Sequence, residues 1–148
     1  EAFESNQNDT LVMISNWRVS DYALELQQKY KSFENIILLD AIYDQSELNF
    51  IRKNASCYVH SHSRCGTAPS LVEAISLELP VISYDCATNR ETTHGNALFF
   101  TCAKSLESII ESISKTDLAR LGSLNGELAR KYYTWDEVSR QYSELIAS

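Results

Sequence analysis

The sequence is short of positive charge: 13 Lys and Arg stand against 20 Asp and Glu in 148 residues, a formal net charge of −7. No Lys/Arg cluster exists to neutralise a phosphate backbone, which argues against nucleic acid as a partner. Long apolar runs are missing too. Nothing approaches the roughly 18 consecutive apolar residues of a membrane-spanning helix, and no signal peptide is expected at the start. Internal repeats and low-complexity linkers are not seen. The four cysteines, at 57, 65, 86 and 102, lack the spacing of a disulfide scaffold, so reduced thiols in a cytoplasmic protein are the expectation. Two sequon matches, Asn8-Asp9-Thr10 and Asn54-Ala55-Ser56, are short enough to arise by chance. The remaining composition, 44% hydrophobic and 22% charged, is that of one globular domain able to bury a core.

Along the chain, apolar strands alternate with helical patterns. Glu1-Ala2-Phe3 reads as the tail of a helix, and Leu11 to Ile14 as a buried strand ending in an Asn16-Trp17 loop. Ser20 or Asp21 can cap a helix carrying Tyr22, Leu24, Leu26 and Tyr30. Ile36 to Leu39 is a continuous apolar run of the kind buried on both faces of a parallel sheet. Asp44-Gln45-Ser46-Glu47 is a capping-box variant opening a helix through Leu48, Ile51 and Arg52. Ala97 to Phe100 reads as a late strand. Helices are expected over about 105–113 and 117–131, with a last one opened by Thr134-Trp135-Asp136-Glu137. This alternation predicts an α/β fold with a doubly wound parallel sheet of about five strands and helices on both faces.

The informative stretch is CYVHSHSRCGTAPSLVEAISLELPVISYDCATNRETT, residues 57–93. Cys57 to Ser61 is a short strand running into a loop of Ser63, Arg64, Cys65, Gly66 and Thr67. Pro69 suits a first helical position, where its missing N–H is not needed. Leu71, Ala74, Ile75 and Leu77 then recur at helical spacing. Pro80 stops that helix, and Val81-Ile82-Ser83-Tyr84 is a second buried strand. The start of such a helix favours phosphate or another anion through its unpaired N–H groups and the positive end of its dipole.

These residues carry a family resemblance. SRCGTAPSLVEAISLELPVISYD is similar to the donor-binding segment of retaining GT-B glycosyltransferases of family 4, with Glu73-Ala74 and Leu79-Pro80-Val81-Ile82 matching its second half. The first glutamate of that pattern should fall at Cys65, so the chain departs from it there. NIILLDAIYDQSELN, HSHS, GT-PSLVEA and NRETT resemble the bacterial polysaccharide rhamnosyltransferases, which also lack that glutamate. The resemblance covers nearly the whole chain. It implies a Rossmann-like fold and a C-terminal nucleotide-sugar-binding domain over residues 1–148, without its first strand and without the N-terminal acceptor domain. It further implies transfer from a nucleotide-diphosphate sugar, with dTDP-rhamnose a candidate, to a glycan or lipid-linked acceptor of a cell-surface polysaccharide. Such a protein would work in the cytoplasm or at the inner face of the membrane, with no metal or other cofactor. The 148 residues alone are expected to be inactive, and no catalytic side chain is assigned. Loss of the central strand would leave residues 11–15 and 57–61 each one neighbour short, favouring direct closure or self-association. The alternative is a non-catalytic nucleotide-binding or assembly module of the same fold.

Ligands of an open α/β sheet bind outside the carboxyl ends of its strands. By resemblance, Glu73 accepts hydrogen bonds from the ribose hydroxyls, two oxygens meeting two donors. The N–H groups of Ser70, Leu71 and Val72 would meet the diphosphate, with Gly66 and Thr67 allowing close approach. His62 and Ser63 stand where the strand ends; His62 either contacts the donor or only orders the loop. Arg90 pairs with phosphate or with a nearby carboxylate. Tyr43 follows the strand where the family places the nucleobase, or is a loop aromatic. Cys57, His60, His62 and Cys65 are ligand types zinc accepts, but alternation along a strand turns Cys57 away from His60, so no metal site is expected. Cys65 has no base partner at a known spacing and reads as a small residue leaving room for the sugar.

Overall fold

The computed structural model describes every residue except Gln7, Cys65 and Ser148, so the expectation for Cys65 lies outside the described residues. The chain divides into two compact units, Glu1–Phe50 and Ile51–Ser148.

In the first unit, β1 (Leu11–Ser15), α1 (Asp21–Tyr30) and β2 (Ile36–Asp40) form a parallel βαβ element, paired in register from Leu11 with Ile36 to Ser15 with Asp40. Ser20 caps α1, its Oγ accepting from the Ala23 N–H at 3.2 Å. The buried face of α1 runs through Ala23, Leu26, Gln27 and Tyr30, leaving Tyr22 and Leu24 exposed. Both were expected to supply packing surface; a helix turns 100° per residue, so they fall off that face. Trp17 is buried and donates from Nε1 to the Leu39 carbonyl at 2.8 Å. The first residues make a single turn, closed by the Glu4 N–H on the Glu1 carbonyl at 2.9 Å, with Ala2 and Phe3 buried. Asn35 holds that turn by donating to the Phe3 carbonyl at 2.7 Å. Strand β2 is not buried on both faces as expected. Val12 and Ile37, register partners that share a face, are both exposed.

Helix α2 (Gln45–Lys53) opens on Asp44, whose Oδ1 accepts from the Glu47 N–H at 2.8 Å. In the second unit, β3 (Tyr58–His60), β4 (Val81–Tyr84) and β5 (Leu98–Phe100) make a parallel sheet in the order β3-β4-β5. Its helices are α3 (Pro69–Ser76), α4 (Ala87–Thr92), α5 (Ala103–Ser112), α6 (Lys115–Tyr132) and α7 (Trp135–Ala147). The parallel α/β class is therefore present, but the five strands hydrogen-bond as two sheets rather than one. Within their own units, β1 pairs with β2 and β3 pairs with β4. The short helix α4 has no counterpart among the expected elements.

Burial in the second unit centres on α3, whose Leu71, Ala74 and Ile75 are fully buried together with Val81 of the central strand. Leu128 and Ala129 of α6 complete that core, with Tyr58, Phe99, Tyr132 and Tyr133 packed around it. Helix α3 stops before Pro80 is reached. The Leu79 N–H reaches back to the Ala74 carbonyl and the Glu78 N–H to that of Ile75, with Glu78 at φ 59°. This is the Schellman pattern, built here on a non-glycine residue. Helix α6 passes the turn closely: a Cβ on Gly122 would lie 2.6 Å from the Glu78 carbonyl oxygen. Asn125, one turn on, donates to the Leu79 carbonyl at 2.8 Å.

Helix α7 is different. Trp135, Tyr142, Leu145 and Ile146 are exposed, and Arg140 bridges Glu137 and Glu144 along its surface. Thr134 caps it from Oγ1, at 3.3 Å from the Glu137 nitrogen. Among the described residues no helix is long and apolar enough to cross a membrane.

The α6 crossing gives a test. Overpacking against fixed backbone costs about 1–3 kcal/mol, offset by up to about 1 kcal/mol of helix propensity. Gly122→Ala should therefore lower stability by about 1–2 kcal/mol in urea denaturation, whereas Ser123→Ala, on the exposed side, should not. A Gly122→Ala midpoint equal to wild type would show that α6 does not approach the turn this closely.

Candidate functional site

The carboxyl ends of β3 and β4 are tied together by one side chain. Asn89 is fully buried, and its Nδ2 donates at 2.9 Å both to the His62 carbonyl after β3 and to the Tyr84 carbonyl at the end of β4. Asn89 belongs to α4, whose position is fixed in turn by Tyr133 donating its hydroxyl to the Thr92 carbonyl at 2.6 Å. Thr93 is buried and donates to the Asn89 carbonyl at 2.8 Å. The NRETT segment thus frames the edge from which the loop 61–67 departs.

In that loop His62, Ser63, Arg64, Gly66 and Thr67 are exposed, and among the described residues no atom other than those of its chain neighbours lies within 4 Å of where a Cβ on Gly66 would stand. Helix α3 follows, with Ala68 at its N-cap, Pro69 in its first turn and no side-chain cap. The N–H groups of Leu71 and Val72 both bond the Ala68 carbonyl, at 3.0 and 3.1 Å. They were expected to face a diphosphate, but they already have a partner, as does the fully buried Leu71 side chain in the core. Ser70, half-buried, stands between them and the loop.

Glu73 lies one turn into α3. Its Oε2 accepts from Nη1 of Arg52 at 2.7 Å. The Arg52 side chain is 12% exposed and that of Glu73 is 42% exposed. The pair is therefore partly buried, with Glu73 its more exposed member. Sequence reasoning placed Arg52 in a helix and gave it no role. The partners are 21 positions apart, and no periodicity links them.

Arg90 is held in a fork: Nε and Nη2 donate to the two carboxylate oxygens of Asp85 at 2.6 and 2.8 Å, and its guanidinium lies 4.1 Å from the Phe99 ring. Of the two partners left open for Arg90, the carboxylate is the one engaged. The Arg90 guanidinium holds the Asp85 carboxyl below its usual range. Tyr43 is exposed in the first unit, after β2.

His60 was considered only as a metal ligand and proves to be the most buried titratable group here. It is 1% exposed, and among the described residues neither ring nitrogen has a hydrogen-bond partner. The His62 ring meets it edge-on, with centroids 5.0 Å apart. Burial pushes the His60 pKa down to about 4, and the neighbouring His62 adds to the shift. At neutral pH His60 is therefore an uncharged imidazole. Among the described residues, no three His, Cys, Asp or Glu side chains come together as a metal cluster would require.

No family model matches the chain. An uncharacterized glycosyltransferase of Methanocaldococcus jannaschii is similar to it, 32% identical over 85 residues; the match takes in 57% of this chain and 20% of that protein. The chain spans about a fifth of the length of that relative.

The His60 shift has a sign that can be checked. The folded pKa of about 4 lies below the unfolded value near 6.5. Between these values the unfolded chain binds the extra proton. Stability from His60 is then full above pH 6.5, falls as the pH drops through the window, and is lost below pH 4, a total of up to about 3 kcal/mol. Urea denaturation at pH 7.5, 5.5 and 4.5 should show wild type losing more stability than His60→Phe. Parallel losses in the two proteins would mean that His60 titrates like a free imidazole.

Proposed function

We propose that the chain is the nucleotide-sugar-binding part of a glycosyltransferase. The observation that carries this is Glu73: a partly exposed side chain, one turn into a helix with no side-chain cap, whose carboxylate is held by the partly buried Arg52. A carboxylate so placed can accept from a ribose hydroxyl while the exposed Ser63, Gly66 and Thr67, with Ser70, serve the phosphates. The similarity to a protein named as a glycosyltransferase supports the same reading. The finer assignment is a retaining GT-B enzyme of the rhamnosyltransferase type, using dTDP-rhamnose and working on a cell-surface polysaccharide at the cytoplasmic side. It rests on the motif resemblance of residues 35–49 and 57–93. His62 is the candidate to extend along the donor from the β3 end. Transfer and acceptor recognition belong to a larger protein in this proposal.

One observation favours a second reading, a nucleotide-binding or assembly module without turnover. The Leu71 and Val72 amides are already bonded to Ala68, which leaves fewer donors for a diphosphate than the motif implies.

The test is calorimetry of the 148-residue chain against nucleoside diphosphates and their sugars, dTDP-rhamnose included. Replacing one acceptor oxygen with a donor, Glu73→Gln should weaken the ligand that binds by roughly ten- to a hundredfold, the usual cost of a lost charge-assisted hydrogen bond. Unchanged affinity in a folded Glu73→Gln protein would remove Glu73 from the site.

A further inference from the structure

Strand β3 and the residues after it carry three rings in a column. Tyr58, His60 and His62 alternate with Val59 and Ser61, and side chains two apart along an extended chain share a side. The ring centroids of Tyr58 and His60 lie 6.0 Å apart. Those of His60 and His62 lie 5.0 Å apart, edge to face at 77°. Tyr58 packs against the buried core of the second unit, His60 is 1% exposed, and His62 is exposed. The column therefore runs from the core out to the loop. The backbone of His62 is held as well, since its carbonyl accepts from Asn89 Nδ2 at 2.9 Å. An exposed loop side chain ordinarily samples several rotamers; this one is held by both ring and carbonyl. Among the described residues neither nitrogen of His60 has a hydrogen-bond partner, so its imidazole acts here as a ring rather than as a polar group. It is uncharged at neutral pH, and aromatic rings favour the edge-to-face arrangement that it makes with His62.

We propose that His60 is a positioning residue: standing on Tyr58, it fixes the ring of His62 in one orientation and so presents that imidazole, already ordered, to the phosphates of a nucleotide. The proposal rests on the reading that this site binds a nucleoside diphosphate. Immobilising a mobile side chain on binding weakens affinity, and a side chain ordered beforehand avoids that loss. An imidazole can donate to a phosphate oxygen from a ring nitrogen, so its orientation decides whether the donor meets the acceptor. His60 touches no ligand in this account and acts only through His62.

The experiment pairs calorimetry of the full chain against UDP, ADP, GDP, CDP and dTDP with NMR of the His62 ring in the free protein. For the diphosphate that binds, His62→Ala should weaken affinity by roughly ten- to a hundredfold, as for a lost hydrogen bond to a charged group. His60→Leu should weaken it by about three- to tenfold, the worth of an edge-to-face ring pair. His60→Phe, which keeps a ring, should stay close to wild type. With His62→Ala already in place, His60→Leu should change nothing further. In the free wild-type protein the His62 ring should show restricted motion and a ring-current shift, both lost in His60→Leu. A merely structural role for His60 would lower affinity by the same factor with or without His62, and that result would overturn the inference. A freely rotating His62 ring in wild type would overturn it too, and this reading decides even if His60→Leu does not fold. Unchanged affinity in His62→Ala would overturn it while leaving the nucleotide site standing on Glu73. Binding of none of the five diphosphates would sink the nucleotide reading itself, and this inference with it.

Discussion

Helix α3 is fixed along its buried face and at its C-terminal turn, and the candidate site depends on that hold. Leu71, Ala74 and Ile75 have no exposed surface, so the helix cannot roll without opening the core. Its far end is closed by the backbone pattern through Ala74, Ile75, Glu78 and Leu79. Helix α6 is seated on that turn by Gly122 and Asn125. A buried methyl group is worth on the order of 1 kcal/mol, so even a small displacement of α3 would be costly. The carboxylate of Glu73 inherits its fixed position from residues that never approach a ligand.

The parts of this arrangement that could be read in the sequence are those written in local patterns. Pro69 in the first turn, the apolar spacing of Leu71, Ala74 and Ile75, and the run Val81-Ile82-Ser83-Tyr84 each carry a period that one element imposes. Ser20, Asp44 and Thr134 were legible as helix openers for the same reason. Division of the strands into two sheets was not legible, since pairing between distant strands leaves no periodic mark. The exposed Val12 and Ile37 show this well: both sit in apolar runs, and only their cross-strand register reveals that they share an open face.

At the site itself, residue types were easier to read than partners. The NRETT segment was recognised as a motif, yet its work is mostly internal: Asn89 ties two strand ends, Thr93 closes its own helix, and Arg90 is occupied by Asp85. Arg52 is distinguished by its pairing with the distant Glu73 and by the low exposure of its side chain, neither of which leaves a periodic mark. His60 was weighed as a ligand type when its decisive property is burial with two unsatisfied nitrogens. Charge pairing and burial are properties of the packed chain, and they redistribute roles among residues that composition treats alike.

The contrast between α3 and α7 separates two ways of keeping a helix. The first is held by surface removed from water. The second keeps Trp135, Tyr142, Leu145 and Ile146 in solvent and relies on a cap and on Arg140 bridging Glu137 and Glu144 within the helix. Ion pairs of that kind contribute only tenths of a kcal/mol each and weaken with salt. Amide exchange along the chain should therefore be graded, with α7 exchanging through local fraying at rates that rise with ionic strength. The amides of the buried turns of α3, around Leu71, Ala74 and Ile75, should exchange far more slowly.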